Sequence, residues 1–315
     1  MLNTNFLNTS IVNSLSVTTP ESPALGTLLE DEDSPAAVSY DYEASFSPAL
    51  LTVPSTAPYY VKAIDSGKVW ANNGNGVTIN YKFWDSLPGH YSSSSTEANN
   101  FQPFTTAQKE ATVKILDMLS SIANITFNEV TNDSSAQLGF AQARLGSGIG
   151  AWAYYPGSSS KSGDVWTNNQ YSATKTVTEG SYGFMVLAHE IGHAMGLEHP
   201  FDSSPYLPSG EDSSRYTIMS YTWPFYSESY MIYDIAAIQA KYGVNTNYAT
   251  GDDNYVLKSG HAYAIWDAGG TDALDGSALS SAMTLNMNAG TMSSVGKTKH
   301  IGIAFDVTIA IANGV

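Results

Sequence analysis

The chain of 315 residues contains no cysteine. That absence excludes a disulfide scaffold, a thiolate metal site and a cysteine nucleophile, while leaving the redox compartment open. Basic residues are scarce, 13 against 29 acidic ones, for a net charge of −16. Nucleic acid and anionic membranes are poor partners for such a surface, because phosphate contacts need an excess of Lys and Arg. Excess carboxylate suits hard cations such as calcium, and equally a surface kept acidic for solubility alone. No apolar run approaches the roughly 18–20 residues of a membrane span. MLNTNFLNTSIVNSLS at the N-terminus has neither a basic region nor a continuous apolar one, so it does not read as a secretory signal peptide. Histidine is rare as well, at six residues, yet three of the six fall between His189 and His199.

What is present describes a globular chain. Hydrophobic residues make up 43%, with 20 Tyr and 6 Trp, enough for a sizeable core. Residues 1–45, rich in Ser, Thr, Asn and Pro and carrying the acidic run EDED, read as a flexible leader or a removable pro-segment. Packed structure is expected from near Ile64. VTINYKF (77–83) alternates as a half-buried strand. Residues 105–124 form an amphipathic helix, with Thr105 and Gln108 as a capping box. ITFNEV (125–130), AQLGFAQA (136–143) and GIGAWAYYP (148–156) are strand candidates. A helix from Gly183 to Gly196 and another over YDIAAIQAKYG (233–243) follow. Beyond Gly243 the texture turns to Asn, Asp, Gly and short strands. The expected division is a leader over 1–45, a catalytic domain over 46–243 and a C-terminal segment over 244–315.

The stretch HEIGHAMGLEHP (189–200) carries the chemistry. Residues four apart share a helix face, so His189 and His193 project side by side as two imidazoles on one metal must. Glu190 sits one position round, within reach of a water but off the metal. Gly196 can adopt a left-handed conformation, end the helix and let the chain return His199 as a third ligand. Three nitrogen ligands with an open position describe a catalytic zinc site. The five fixed positions should arise by chance in roughly one chain in 10⁵ of this length, so unrelated surface histidines are not a competitive explanation.

HEIGHAMGLEH resembles the metzincin pattern H-E-x-x-H-x-x-G-x-x-H, and YTIMSYT, with Met219 twenty residues after His199, resembles the methionine turn of that clan. Pro200 after the third histidine, YDIAAIQAKYG and WDAGGTDALDGS (266–277) narrow the resemblance to the serralysins. That resemblance implies an α+β fold, in which a twisted mixed sheet with active-site and methionine-turn helices precedes a truncated calcium-binding β-roll-like segment. It implies a secreted, extracellular zinc endopeptidase that hydrolyses extended polypeptides with a zinc-activated water and Glu190 as general base. His189, His193 and His199 would bind zinc, Tyr221 would be a zinc switch ligand that also stabilises the transition state, and Met219 would floor the site. Trp152, Ala153 and Tyr154 resemble the edge strand that pairs with substrate, against an ordinary buried strand as the alternative. One or two structural calcium ions are implied. Ala249, Gly251, Asp253, Asp267, Gly269 and Asp272 match a first site, against Asp–Gly turns that bind nothing. Gly270 and Thr308 match a second, which Ala310 in place of the expected Glu counts against. Further departures are the absent G-G-x-G-x-D-x-U-x repeats and C-terminal secretion signal, a short loop from His199 to Met219, and Phe201 where Gly is common. Expected partners are polypeptide substrates and a proteinaceous inhibitor, with no nucleic acid and no membrane, on a monomeric enzyme. The competing readings are a protein held latent by its leader and a non-catalytic zinc- and calcium-binding protein.

Overall fold

The structure is a computed structural model that describes residues 53–71, 76–296 and 298–313. The leader expected over residues 1–45 lies outside the described residues, as do Gly314 and Val315. Packing begins slightly ahead of the expected start at Ile64, in the one-turn helix α1, Tyr59–Lys62. Aromatic stacking accounts for this. The Tyr60 ring lies parallel to Tyr233 at 4.7 Å and to Phe305 at 4.6 Å, and Val61 is buried.

A five-stranded sheet supports the chemistry. Its strands are β1 Val77–Phe83, β2 Ile125–Glu129, β3 Leu138–Ala143, β4 Ala151–Ala153 and β5 Asp164–Asn168, in the order β2-β1-β3-β5-β4. All neighbours run parallel except β4, which lies antiparallel to β5 at one edge. Helix α2, Thr106–Ile122, carries the expected capping box: Gln108 N donates to Thr105 Oγ1 and Thr105 N to Gln108 Oε1. Its apolar face buries Ile115, Leu116, Leu119 and Ile122. Strand β5 is absent from the sequence-based expectations for a physical reason. All five of its residues, Asp164 to Asn168, are buried, so the two-residue alternation that marks a half-exposed strand does not arise.

Helix α3, Tyr182–Ala194, is buried along its whole length and starts at Ser181, whose hydroxyl accepts from Phe184 N. Helix α4, Ile232–Tyr242, ends at Gly243, where φ is +83°. The remainder is β6 Asn254–Val256, β7 Tyr263–Ile265, β8 Asp272–Asp275, β9 Met283–Thr284, β10 Thr291–Val295, β11 Thr298–Ile303 and β12 Ile309–Asn313. These form a four-stranded sheet, β7-β11-β10-β9, and a three-stranded one, β12-β8-β6, in which β8 is parallel to both neighbours. Leu257, Ile265, Trp266, Leu274, Ile301 and Ile303 share one continuous core with residues of α2, α3 and α4. Gly243 therefore marks a change of texture along the chain without a gap in its packing. No helix among the described residues is long and apolar enough to cross a membrane.

Candidate metal centre

The turn after α3 determines whether His199 can reach His189 and His193. Gly196 has φ +89°, and a Cβ there would lie 2.1 Å from the Lys68 carbonyl, so conformation and space both require glycine. Leu197 N donates to Gly192 O and Glu198 N to Ile64 O, which turns the chain back over the helix. The buried Lys241 ammonium ties this corner down by pairing with Asp65 and donating to Lys68 O at 2.9 Å.

The three Nε2 atoms then converge, at 3.0 Å for His193–His189, 3.1 Å for His193–His199 and 3.2 Å for His189–His199. Each Nδ1 faces an acceptor: Ile218 O at 2.8 Å for His189, Leu197 O at 2.8 Å for His193 and Asp202 Oδ2 at 2.7 Å for His199. Because carbonyl and carboxylate oxygens only accept, the protons belong on Nδ1 and the lone pairs on Nε2. Three lone pairs facing one another in a buried space repel unless a cation lies among them. A tetrahedral zinc with Zn–N of about 2.0–2.1 Å would set them about 3.3 Å apart, so the residues fit that ion. Burial, then the neighbouring His199, pushes His193 well below the usual imidazole range, which keeps it in the neutral form a ligand needs.

Glu190 is 1% exposed, next to His189 on α3. Met219 is fully buried under the helix, with its sulfur 2.9 Å from where a Cβ on Gly192 would stand. The Tyr221 ring lies 4.7 Å from that of His199 and 5.8 Å from that of His189. Phe201 stacks face to face on His199 at 5.1 Å and meets Tyr221 edge-on.

Two carboxylates hold this arrangement: Asp202, which the sequence reading did not single out, and Asp234, which it placed only at the N-terminus of the helix over 233–243, in keeping with cap chemistry and the helix dipole. Asp202 orients His199; a carboxylate three residues beyond a histidine ligand was the available clue. Asp234, fully buried at the start of α4, accepts from Thr217 Oγ1 at 2.5 Å, Ile218 N at 2.9 Å and Met231 N at 2.8 Å. It thereby fixes the peptide whose carbonyl holds His189. Burial pushes the Asp234 carboxyl up to about 7, outweighing the three hydrogen bonds that favour its ionised form.

Strand β4 lies at the edge of the sheet, beside β5. Tyr154 N donates to Asp164 O and Gly163 N to Tyr154 O, so the Tyr154 backbone faces inward to β5, and its hydroxyl donates to Glu97 Oε1 at 2.5 Å. Trp152, which pairs with Trp166, shares that parity along the ladder. The outward backbone groups belong to Ala151 and Ala153. Both alanines are buried, and Trp152 is the partly exposed residue of the strand. The parity of a ladder depends on its register, which sequence does not display.

In the tail, oxygens of Asp253, Asp267 and Asp272 lie within 4.8 Å of one another, with Asp267 and Asp272 buried. Asp253 N donates to Asp272 Oδ1, Gly269 N to Asp267 Oδ1 and Tyr255 OH to Asp267 Oδ2. Gly270, at φ +134°, packs so closely on Gly251 that a Cβ would lie 1.8 Å from its carbonyl oxygen, and Ala249 has φ +47°. Burial first, then Asp267 and Asp253, raises the Asp272 carboxyl above the usual range. Thr308 is exposed just before β12, whose Ile309 pairs with Asp272. Ala310 is likewise exposed and brings no carboxylate there.

Comparison with known proteins matches residues 80–231 to the profile described as Metallo-peptidase family M12 and residues 233–315 to Peptidase M10 serralysin C terminal. Serralysin C of Dickeya chrysanthemi is 36% identical over 279 residues, which cover 76% of this chain and 57% of the relative. Serralysin A of the same organism is 34% identical over 275 residues, 76% of this chain and 57% of the relative. Metallopeptidase AprA of Pseudomonas marginalis is 32% identical over 288 residues, 77% and 59% respectively. The chain thus spans a little over half the length of the curated relatives it matches. The two profiles adjoin at α4 and between them take in the three histidines, the Met219 turn and the aspartate cluster of the tail, and the chain belongs to the serralysin-type metalloprotease family.

Proposed function

We propose that the protein is a zinc-dependent endopeptidase acting on extended polypeptide. The observation that carries this reading is the convergence of three Nε2 lone pairs whose Nδ1 partners all enforce one tautomer. His189, His193 and His199 would hold a zinc ion, which supplies Lewis acidity and lowers the pKa of a coordinated water. Glu190 takes the proton of the attacking water and passes it to the departing amine. The Tyr221 hydroxyl donates to the oxygen that becomes negative as the peptide carbonyl is attacked. Edge strand β4, near Trp152, Ala153 and Tyr154, holds the substrate backbone in line as an added strand. Asp202 and Asp234 keep His199 and His189 oriented so that the metal ligands do not rearrange during the reaction.

We assign residues 46–243 to the catalytic domain and 244–315 to a calcium-binding segment built like the start of a β-roll. Asp253, Asp267 and Asp272, with backbone oxygens of Ala249, Gly251 and Gly269, would form one calcium site. The exposed Thr308 and the missing carboxylate at Ala310 favour that single site over a second one at Gly270. Calcium there neutralises like charges and ties β6 to β8. The acidic chain acts outside the cell as a monomer on polypeptide substrates and is a target for a proteinaceous inhibitor. The test is casein hydrolysis before and after zinc chelation. Activity lost to the chelator and restored by zinc supports the reading, and activity indifferent to the chelator rejects it.

A further inference from the structure

The rings of His199, Phe201 and Tyr221 touch one another in a triangle. Phe201 lies face to face with His199 at 5.1 Å, while Tyr221 meets Phe201 edge-on at 5.1 Å and His199 edge-on at 4.7 Å. His199 is a metal ligand and Tyr221 the donor to the developing oxyanion, whereas the reaction leaves Phe201 without a task. Its side chain is 38% exposed and lies outside the buried core. We propose, on the role given to Tyr221 in the proteolytic reading above, that Phe201 is a positioning residue for Tyr221. It holds the phenol ring where its hydroxyl meets the oxyanion.

Main-chain contacts leave side-chain rotation as the motion to be controlled. Before Tyr221, Met219 N donates to Thr217 Oγ1; after it, Thr222 N donates to Ser220 Oγ and Ser214 N to Thr222 O. With the backbone held, the ring can still change rotamer and carry its hydroxyl away from the metal centre. The rings near it are His199 at 4.7 Å, Phe201 at 5.1 Å, His189 at 5.8 Å and Trp223 at 5.9 Å. Two of these are the histidine ligands, and Phe201 is the nearer of the other two. Phe201 is fixed in turn without help from its own ring. The turn over 199–202 closes by Asp202 N donating to His199 O at 3.3 Å, with Asp202 Oδ2 accepting from His199 Nδ1 at 2.7 Å. Leu207 N donates to Pro200 O as well. Residue 201 can therefore lose its ring while the turn, and the acceptor that orients His199, stay in place. Asp202 orients the ligand and Phe201 the phenol. An edge-to-face ring pair biases a rotamer equilibrium by roughly 2–12-fold, which sets the size of the effect.

The experiment uses the full zinc-loaded chain and a fluorogenic peptide. Phe201→Ala should lower kcat by about 2–12-fold with KM unchanged, and Phe201→Tyr, which keeps the ring, should match the wild type. Phe201→Leu, which keeps apolar bulk without an aromatic edge or face, should fall in the same direction and serves if Phe201→Ala does not fold. Tyr221→Phe removes the donor itself and should lose roughly 10²–10³-fold in kcat. Adding Phe201→Ala to Tyr221→Phe should cost nothing further, because no hydroxyl is left to position. Chelator competition should show Phe201→Ala well short of the roughly 10–100-fold loss of zinc affinity that follows removal of an outer partner of a ligand. Crystals of metal-free protein give a readout independent of activity: Tyr221 in a single orientation in the wild type and in several in Phe201→Ala. Unchanged kcat in the folded Phe201 variants, a loss that persists undiminished in the Tyr221→Phe background, a zinc affinity lower by about tenfold or more, or Tyr221 equally ordered in both crystals would overturn the proposal while leaving the enzyme a protease. Wild-type kcat in Tyr221→Phe would remove Tyr221 from the reaction and this proposal with it. No cleavage of any peptide by zinc-loaded wild type would overturn the proteolytic reading itself, and with it the role assigned to Phe201.

Discussion

Replacing Asp234 by Ala should loosen the metal centre from a distance. The carboxylate accepts three hydrogen bonds in a fully buried site, from Thr217, Ile218 and Met231. Deleting it orphans three donors, at about 1–3 kcal/mol each. Part of that is offset, because the same burial that holds this carboxyl near 7 makes its charge costly in the folded state. A net loss of about 3 kcal/mol is expected, which for a chain of this size lowers Tm by roughly 4–6 °C. The second consequence is more specific. Ile218 N is anchored by Asp234, while Ile218 O holds His189 Nδ1 at 2.8 Å, so the loosened peptide lets the imidazole rotate. Zinc affinity should fall about 10–100-fold, the usual worth of an outer partner of a metal ligand. Thermal melts with a competitive chelator titration measure both quantities. Asp234→Asn, which keeps the shape and one good acceptor, should fall between. Wild-type Tm together with wild-type zinc affinity in Asp234→Ala would refute the chain of contacts from α4 to His189.

Other consequences can be measured independently. Glu190→Gln should retain zinc but lose roughly 10²–10⁴-fold in rate, read as kcat on a peptide with metal content measured alongside; near-normal hydrolysis would remove the glutamate from the mechanism. Gly192→Ala places a Cβ 2.9 Å from the sulfur of the fully buried Met219 and should cost about 1–3 kcal/mol in a denaturant titration. An unchanged midpoint would mean that the floor under the histidines is softer than its packing indicates. Calcium should raise Tm, by about 2.7 kcal/mol of stabilisation at a hundred times its dissociation constant, and Asp272→Ala should remove most of that rise. With the Asp272 carboxyl raised in the ion-free fold, its own contribution to stability is complete below the unfolded value near 3.9 and is lost as pH rises. Calcium binds the deprotonated carboxylates, so the calcium-induced rise in Tm should be small at pH 4 and full by pH 7. A rise independent of pH would place calcium elsewhere.

The parts of this structure legible in the sequence are those governed by local spacing. His189 and His193 share a helix face because of helical periodicity, and Gly196 ends the helix because a left-handed residue is required there. Thr105 and Gln108 form their capping box within one turn, and β1 alternates because one of its faces is half exposed. What was missed depends on tertiary pairing. Strand β5 is buried throughout and so shows no alternation. Which residues of β4 turn their backbone toward β5 depends on Trp152 lying opposite Trp166, a register no local pattern displays. Asp234 acts across 16 residues of chain on Ile218. A buried group formed by Asp164 with His90, Tyr91 and Trp84 likewise joins residues more than seventy positions apart. No local pattern announces such contacts.

The central claim is that three histidines hold one catalytic zinc beside Glu190, and back-titration of metal-free protein tests it most directly. Chelated protein should be inactive on casein, and activity should return linearly with added zinc and break at one ion per chain. His193→Ala should neither bind that ion tightly nor recover. Hydrolysis that persists in metal-free protein, or zinc bound at one per chain with no activity in the wild type, would contradict the account.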